Sequence, residues 1–232
     1  MDRALVPGIL LAALLAVLGL ALLMPDPTPP GGARLPWQVD LTTDGTTRVF
    51  GLTLGASTLA EARALFGESG ELNLFRAGDA QAPRLSVEAY FSRLHLHRLR
   101  ADFVLTLEIA TEQLAAAYAR GLRISQLPSG DKKVRLAPED EAAFATAPIR
   151  AITYLPQARL DPALIERRFG QPAQQLVEPE SGVVHHLYPE HGIDVALAAD
   201  GETVIQYVAP AAFETLLAPL EAHATDQRTP ST

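Results

Sequence analysis

Two ten-residue stretches carry the architecture: Thr58-Leu-Ala-Glu-Ala-Arg-Ala-Leu-Phe66-Gly67 and Asp161-Pro-Ala-Leu-Ile-Glu-Arg-Arg-Phe169-Gly170. Each opens on a residue whose side-chain oxygen caps a helix, runs for the same length, and ends in Phe-Gly. In the first, Thr58 and Glu61 have capping-box spacing, with Leu59, Ala62 and Leu65/Phe66 on one apolar stripe. In the second, Asp161 caps and Pro162 sits at the first helical position, where a missing N–H costs nothing. A Phe packs back on its own helix, while Gly supplies the left-handed residue that turns the chain into a strand. Coincidental helix-to-strand junctions would give the same letters, so the repeat is an expectation to be met by the fold.

Working outward, the order helix, strands, helix is predicted twice. After Gly67 come strand candidates at Glu71–Phe75, Leu85–Phe91 and Leu94–Ile109, the last long enough to hold two strands, then a helix over Thr111–Arg120. Lys133–Leu136 reads as a short strand and Pro138–Thr146 as an acidic-capped helix. The second half opens with a strand at Ile149–Leu155. After Gly170 it continues with Val183–Tyr188, Ile193–Leu197 and Thr203–Val208, and closes with a helix over Pro210–Leu220. Ahead of both halves, Trp37–Phe50 reads as a hairpin about Asp44-Gly45, a favoured two-residue turn.

The first residues read differently. Ala4–Met24 carries no charge and, as a helix, would rise ~31 Å, matching a hydrocarbon core of ~30 Å. A cleaved signal peptide would have a shorter apolar run and a small-x-small site; this one ends Leu22-Leu23-Met24-Pro25. The prediction is therefore a single-pass anchor in the inner membrane, with Arg3 on the cytoplasmic side and the bulk in the periplasm. The expected organisation is an anchor over 1–24, a Pro/Gly-rich spacer over 25–36, α+β units over 37–147 and 148–220, and a polar tail over 221–232. The fold class expected is α+β: a transmembrane helix followed by two related units, each an antiparallel sheet flanked by helices.

In the SmpA/OmlA-type barrel-assembly lipoproteins a short helix ends in Phe-Gly-x-Pro before a sheet, and Phe169-Gly170-Gln171-Pro172 resembles that motif. Phe66-Gly67-Glu68-Ser69 matches it in part, and the lipid-bearing cysteine of that family is absent. The whole chain also resembles uncharacterised single-span envelope proteins of Gram-negative bacteria. The resemblance implies an envelope location and a protein-contact function, with an unidentified envelope protein as partner, and carries no activity with it.

Composition narrows the chemistry. The 232 residues include no cysteine, which removes disulfides, thiolate metal sites and thiol nucleophiles. A net charge of −8 repels phosphate backbones, so no nucleic-acid partner is expected. Arg93, His95, His97, Arg98 and Arg100 crowd one strand segment and point to an anionic or protein partner. His95 and His97 share a strand face as metal ligands do, but the arginines repel a divalent ion. His185, His186, Glu190 and His191 offer an alternative: His186, Glu190 and His191 would converge on a metal if Pro189–Gly192 turns tightly, whereas His185 and His186 point to opposite strand faces. No phosphate-binding loop, dinucleotide fingerprint, Gly-x-Ser-x-Gly elbow or His-Glu-x-x-His occurs. The function expected is thus a membrane-anchored, extracytoplasmic protein-interaction module without catalytic residues or cofactor. The alternative is a metal-binding protein or metal-dependent hydrolase built on the His185–His191 segment. A small-ligand carrier has nothing in the letters to favour it; a deep apolar cavity would raise it.

Overall fold

A computed structural model describes residues 35–78, 83–96 and 99–226. Short strands β1 (Asp40–Leu41), β2 (Thr47–Val49) and β3 (Leu52–Thr53) form a small antiparallel sheet. Ten more strands form one sheet. They are β4 (Glu71–Ala77), β5 (Arg84–Leu96), β6 (Leu99–Leu107), β7 (Arg123–Gln126), β8 (Lys132–Arg135), β9 (Ile149–Pro156), β10 (Gln174–Val177), β11 (Val184–Tyr188), β12 (Ile193–Leu197) and β13 (Thr203–Val208). Their spatial order is β10-β11-β12-β13-β9-β6-β5-β4-β8-β7, antiparallel at every neighbour.

The helices are α1 (Leu59–Phe66), α2 (Thr111–Arg120), α3 (Pro138–Phe144), α4 (Pro162–Phe169) and α5 (Phe213–Asp226). Both repeated helices form where their caps place them. The Thr58 hydroxyl accepts from the Glu61 amide while the Glu61 carboxylate accepts from the Thr58 amide at 2.8 Å, and Gly67 ends α1 in the left-handed region at φ 70°. At α4 the Asp161 carboxylate accepts from the Leu164 amide at 2.7 Å.

Alternation along the strands divides the sheet into two faces. One face carries Leu72, Leu74, Val87, Ala89, Phe103, Leu105, Ile152, Tyr154, Val195, Ile205 and Tyr207 into the main core. That core is closed by Leu59 and Ala62 of α1, Leu114 and Ala117 of α2, Phe144 of α3 and Ile165 of α4. On the opposite face, Leu187 and Val208 pack against Phe213 and Leu217 of α5. At the centre of the main core lies Phe50, whose ring meets those of Phe103, Tyr154 and Tyr207 at centroid distances of 5.0, 5.3 and 5.4 Å. Phe50 and Gly51 form the two-residue turn between β2 and β3, with φ of 55° and 87°, the geometry usually taken by Asn-Gly.

The expected architecture is corrected in two respects. The units placed at 37–147 and 148–220 do not carry separate sheets: β6 pairs directly with β9 from Ala101↔Pro156 to Leu107↔Ile149, fusing both halves into one large antiparallel sheet with few helices. Joining the strands removes two hydrogen-bonding edges that separate sheets would leave open. Among the described residues no helix is long and apolar enough to cross a membrane. The two-unit form is therefore replaced by one sheet, and the stretch Ala4–Met24, on which the expected anchor falls, lies outside the described residues. Single strands also differ: Leu85–Phe91 and Leu94–Leu96 belong to the one strand β5, interrupted by a bulge between Phe91 and Leu94 with Arg93 at φ 52°. The bulge is held by Asp102, which accepts from the Arg93 amide at 2.6 Å and the Tyr90 hydroxyl at 2.7 Å.

Candidate functional site

Where β9 ends beside the β5–β6 hairpin, the chain leaves an apolar pocket of about 330 Å³. One wall is the strap that precedes β1. Its Pro36 carbonyl accepts a buried hydrogen bond of 2.9 Å from the Tyr207 hydroxyl, and this anchors the strap to the core. The next residue, Trp37, lines the pocket and lies under the Arg168 guanidinium, 4.4 Å from the ring centroid. Phe169, the last residue of α4, and Leu160 of the preceding loop form the facing wall. Tyr154 and Ile205, both core residues, contribute the floor.

Polar groups are few and placed at the exposed side. Arg100 and Gln157 line the pocket and are tied together through the backbone, the Gln157 amide donating to the Arg100 carbonyl at 2.9 Å. Neither the Arg100 nor the Arg168 guanidinium has a carboxylate partner among the described residues, and both are exposed. Burial pushes the Tyr154 phenol up to about 12, so it stays protonated at neutral pH and is a hydrogen-bond donor rather than a base. Among the described lining residues there is no carboxylate, imidazole, thiol, lysine or serine. The arrangement is equipped to hold an apolar group beside a cation; it has no group poised to move a proton or attack a carbonyl.

The cationic residues singled out in the sequence divide. Arg100 borders the pocket at the start of β6, where alternation with the core residues Ala101 and Phe103 turns its side chain to the other sheet face; Arg93 and His95 are exposed on the same hairpin, and His97 and Arg98 lie outside the described residues. The histidine-rich segment forms no metal centre: among the described residues no group of three or more His, Asp or Glu side chains is placed to hold an ion. His186 is buried on the core face of β11 with its Nδ1 unpartnered, whereas Glu190 and His191 are exposed on the short turn Pro189–His191. The structure thus sets His186 on the buried core face and Glu190 and His191 on the exposed turn.

His185, on the opposite face, has a different surrounding. Its Nδ1 lies 2.9 Å from an Asp194 oxygen and its Nε2 3.2 Å from Glu178. Burial pulls the imidazole pKa down, but the hydrogen bonds and charges of Asp194 and Glu178 outweigh it, and the net shift is upward. A second hollow of about 620 Å³ runs along β1, lined by Asp40, Thr42, Arg48 and His191. It is more open and more polar than the first, and open space retains no ligand without matching contacts, so the smaller, walled pocket is the stronger site.

No protein-family model matches the chain. No curated protein matches it either. Among solved structures it is similar to a DUF4309 family protein (YjgB) from Bacillus subtilis subsp. subtilis str. 168, at 14% identity and a TM-score of 0.37, over 71% of this chain and 88% of that one. At that TM-score the likeness carries no argument about function.

Sequence reading reached three parts of this site for other reasons. Trp37 marked the start of a hairpin, Phe169 the end of a helix, and Arg100 a cationic segment. The missed residues, Leu160, Pro156 and Ile205, are ordinary apolar letters. For Pro156 and Leu160 the signal is only that Pro156-Gln-Ala-Arg-Leu160 joins two regular elements with apolar residues that a solvated loop has no need to carry, and Ile205 lies within an ordinary strand.

Proposed function

We propose that this protein is a non-catalytic binding module that docks another protein by receiving one of its apolar side chains between Trp37 and Phe169. The observation that carries this reading is the walled apolar pocket with the Arg168 guanidinium stacked over its Trp37 wall. Aromatic and arginine residues at a half-exposed cavity are the composition that protein-binding hot spots favour. The partner is proposed to be a protein of the cell envelope, on the strength of the sequence resemblance.

Trp37 is the only tryptophan of the chain, so its fluorescence reports on this pocket alone. A short apolar peptide titrated into the protein is expected to shift or quench the Trp37 emission saturably. An emission unchanged to millimolar peptide removes the proposal.

A second reading, carriage of a small apolar molecule, is favoured by the cavity itself, whose volume lies at the low end of the roughly 300–1,000 Å³ that ligand pockets occupy. Saturable binding of decanoate without any peptide response selects that reading.

A further inference from the structure

The floor of the pocket carries a polar group that the core does not use. Tyr154 is 3% exposed and lines the pocket, yet its hydroxyl has no hydrogen-bond partner among the described residues. Three other phenols are satisfied: Tyr207 donates to the Pro36 carbonyl, Tyr188 to the Gly170 carbonyl and Tyr90 to Asp102, at 2.9, 3.0 and 2.7 Å. A buried hydroxyl without a partner is costly, and native interiors retain few of them. Among the described residues, the buried side-chain atoms sealed from contact and left without a partner are His186 Nδ1 and Asp194 Oδ1. The Tyr154 oxygen is not sealed in that way, and the open space that its residue borders is the pocket. Burial alone raises its pKa, with no charge or hydrogen bond contributing, as befits a phenol that meets apolar walls.

A matching occupant has an apolar body and, at its inner end, an oxygen that accepts a hydrogen bond. An ion does not suit that end, because Ile205 and the rings of Phe50 and Phe103 around Tyr154 supply nothing to solvate it. A hydrocarbon side chain fills the space but leaves the hydroxyl unpaired. Serine and threonine carry an oxygen on Cβ but have no body to fill about 330 Å³. Methionine sulfur accepts weakly, and tryptophan only donates, which leaves the Tyr154 proton unpaired. Tyrosine has both parts: a ring that packs on the aromatic walls Trp37 and Phe169, and a terminal hydroxyl that accepts.

We propose that the side chain received by this pocket is a tyrosine of the partner protein, its ring between Trp37 and Phe169 and its hydroxyl oxygen accepting a hydrogen bond from Tyr154. This rests on the pocket being the protein-docking site, and the two claims fail separately.

The experiment uses the full chain, the peptides acetyl-Gly-Tyr-Gly-amide and acetyl-Gly-Phe-Gly-amide, and p-cresol. Binding is followed by Trp37 emission, excited where tyrosine does not absorb. The two peptides differ by a single oxygen, the atom assigned to Tyr154. The tyrosine peptide is expected to bind about threefold to tenfold more tightly, the ratio that one neutral hydrogen bond supplies. In Tyr154→Phe that ratio is expected to fall to unity or to reverse, because the incoming hydroxyl is then buried without a partner. The substitution removes no described hydrogen bond, so the variant is expected to melt no lower than the unsubstituted protein. A variant that melts markedly lower, or does not fold, shows the hydroxyl to be partnered already and overturns the proposal. Equal binding of the two peptides overturns the tyrosine proposal while sparing the pocket as a docking site. A tyrosine preference that survives Tyr154→Phe overturns the assignment to Tyr154. Silence toward both peptides overturns the docking reading itself, and a response to p-cresol alone replaces it with the small-ligand reading.

Discussion

Replacing Phe50 tests the core and the pocket together. The ring is fully buried and touches Phe103 and Tyr207 edge-on and Tyr154 at a tilt of 31°. Truncation to Ala in a packed core costs about 3–5 kcal/mol, out of a total stability of roughly 5–15 kcal/mol. For a domain of this size, each kcal/mol moves the melting temperature by about 2–4 °C, so Phe50→Ala is expected to melt roughly 6–20 °C lower. Its backbone adds a second, sharper test, because φ is 55°. At an ordinary φ, Gly trails Ala by the buried methyl, about 0.8 kcal/mol, and by chain entropy, about 0.5–1 kcal/mol. In the left-handed region Gly also escapes a penalty of roughly 1–2 kcal/mol that Ala still bears. Those terms nearly cancel, so Phe50→Gly and Phe50→Ala should agree within about 0.8 kcal/mol. Urea denaturation with unchanged m-values is the assay. A Gly variant less stable than the Ala variant by 1.5 kcal/mol or more, an order-of-magnitude bound from the same terms, would refute the left-handed turn. A loss on Phe50→Ala below about 2 kcal/mol would refute the central place given to the ring. Because Tyr154 and Tyr207 lose their support, Trp37 emission should also move to the red in both variants.

Three further outcomes are expected. Gly192→Ala places a Cβ 1.9 Å from the Val208 carbonyl oxygen at φ 67°, with backbone as the obstacle; it should lose at least about 3 kcal/mol or fail to accumulate, and soluble yield with denaturation checks it. Thr47→Val removes the buried hydroxyl whose single proton is shared between the His191 and Val208 carbonyls, at 2.9 and 2.8 Å; a loss of about 1–3 kcal/mol in denaturation is expected, and none would show that water serves those carbonyls instead. For His185 the folded pKa is raised, so the protonated ring favours the fold. Its contribution is full below the unfolded value of about 6.5 and fades as pH rises through the higher folded value, so the stability gap between the unsubstituted protein and His185→Gln should narrow from pH 6 upward, and a gap that widens there contradicts the assignment.

How far the letters reached depended on burial. Thr111–Arg120 has the bounds its stripe of Leu114 and Ala117 predicts, and α1 and α4 start and stop where their caps and Phe-Gly endings place them. Strands β11 to β13 were legible because both their faces are covered and the apolar letters are dense. β7 and β10 were not, since Arg123–Gln126 is exposed throughout and Gln174–Val177 nearly so, and an edge strand without a covered face leaves no alternation to read. The fusion of the halves was hidden for another reason: the pairing of β6 with β9 depends on backbone groups, which every residue but proline offers alike. Phe50 reads as the end of a strand by its letter, because a buried ring in a left-handed turn breaks the rule that such turns take Asn or Gly. Of the pocket, Arg100 was legible as charge, while its placement beside Trp37 and Phe169 depends on contacts far apart in the chain.

The two repeated helices explain why the pocket lies where it does. In α1, Phe66 is enclosed by two rings, Phe91 and Phe103, each at 5.2 Å, so the helix end is sealed into the core. In α4 the equivalent Phe169 has one described ring neighbour, Tyr188 at 6.0 Å, and its other side opens to the hollow. What covers that side is the strap bearing Trp37 and the buried Pro36, held by the Tyr207 hydroxyl and by Val39 packed on the core. The exposed Arg168 guanidinium over Trp37 adds about 0.5–1 kcal/mol to that wall, and the floor of Tyr154 and Ile205 belongs to the close-packed core. The same short helix thus closes the core in one half and leaves a half-open apolar site in the other. Trp37 lines that half-open site, so recognition there is expected to be read first in its emission.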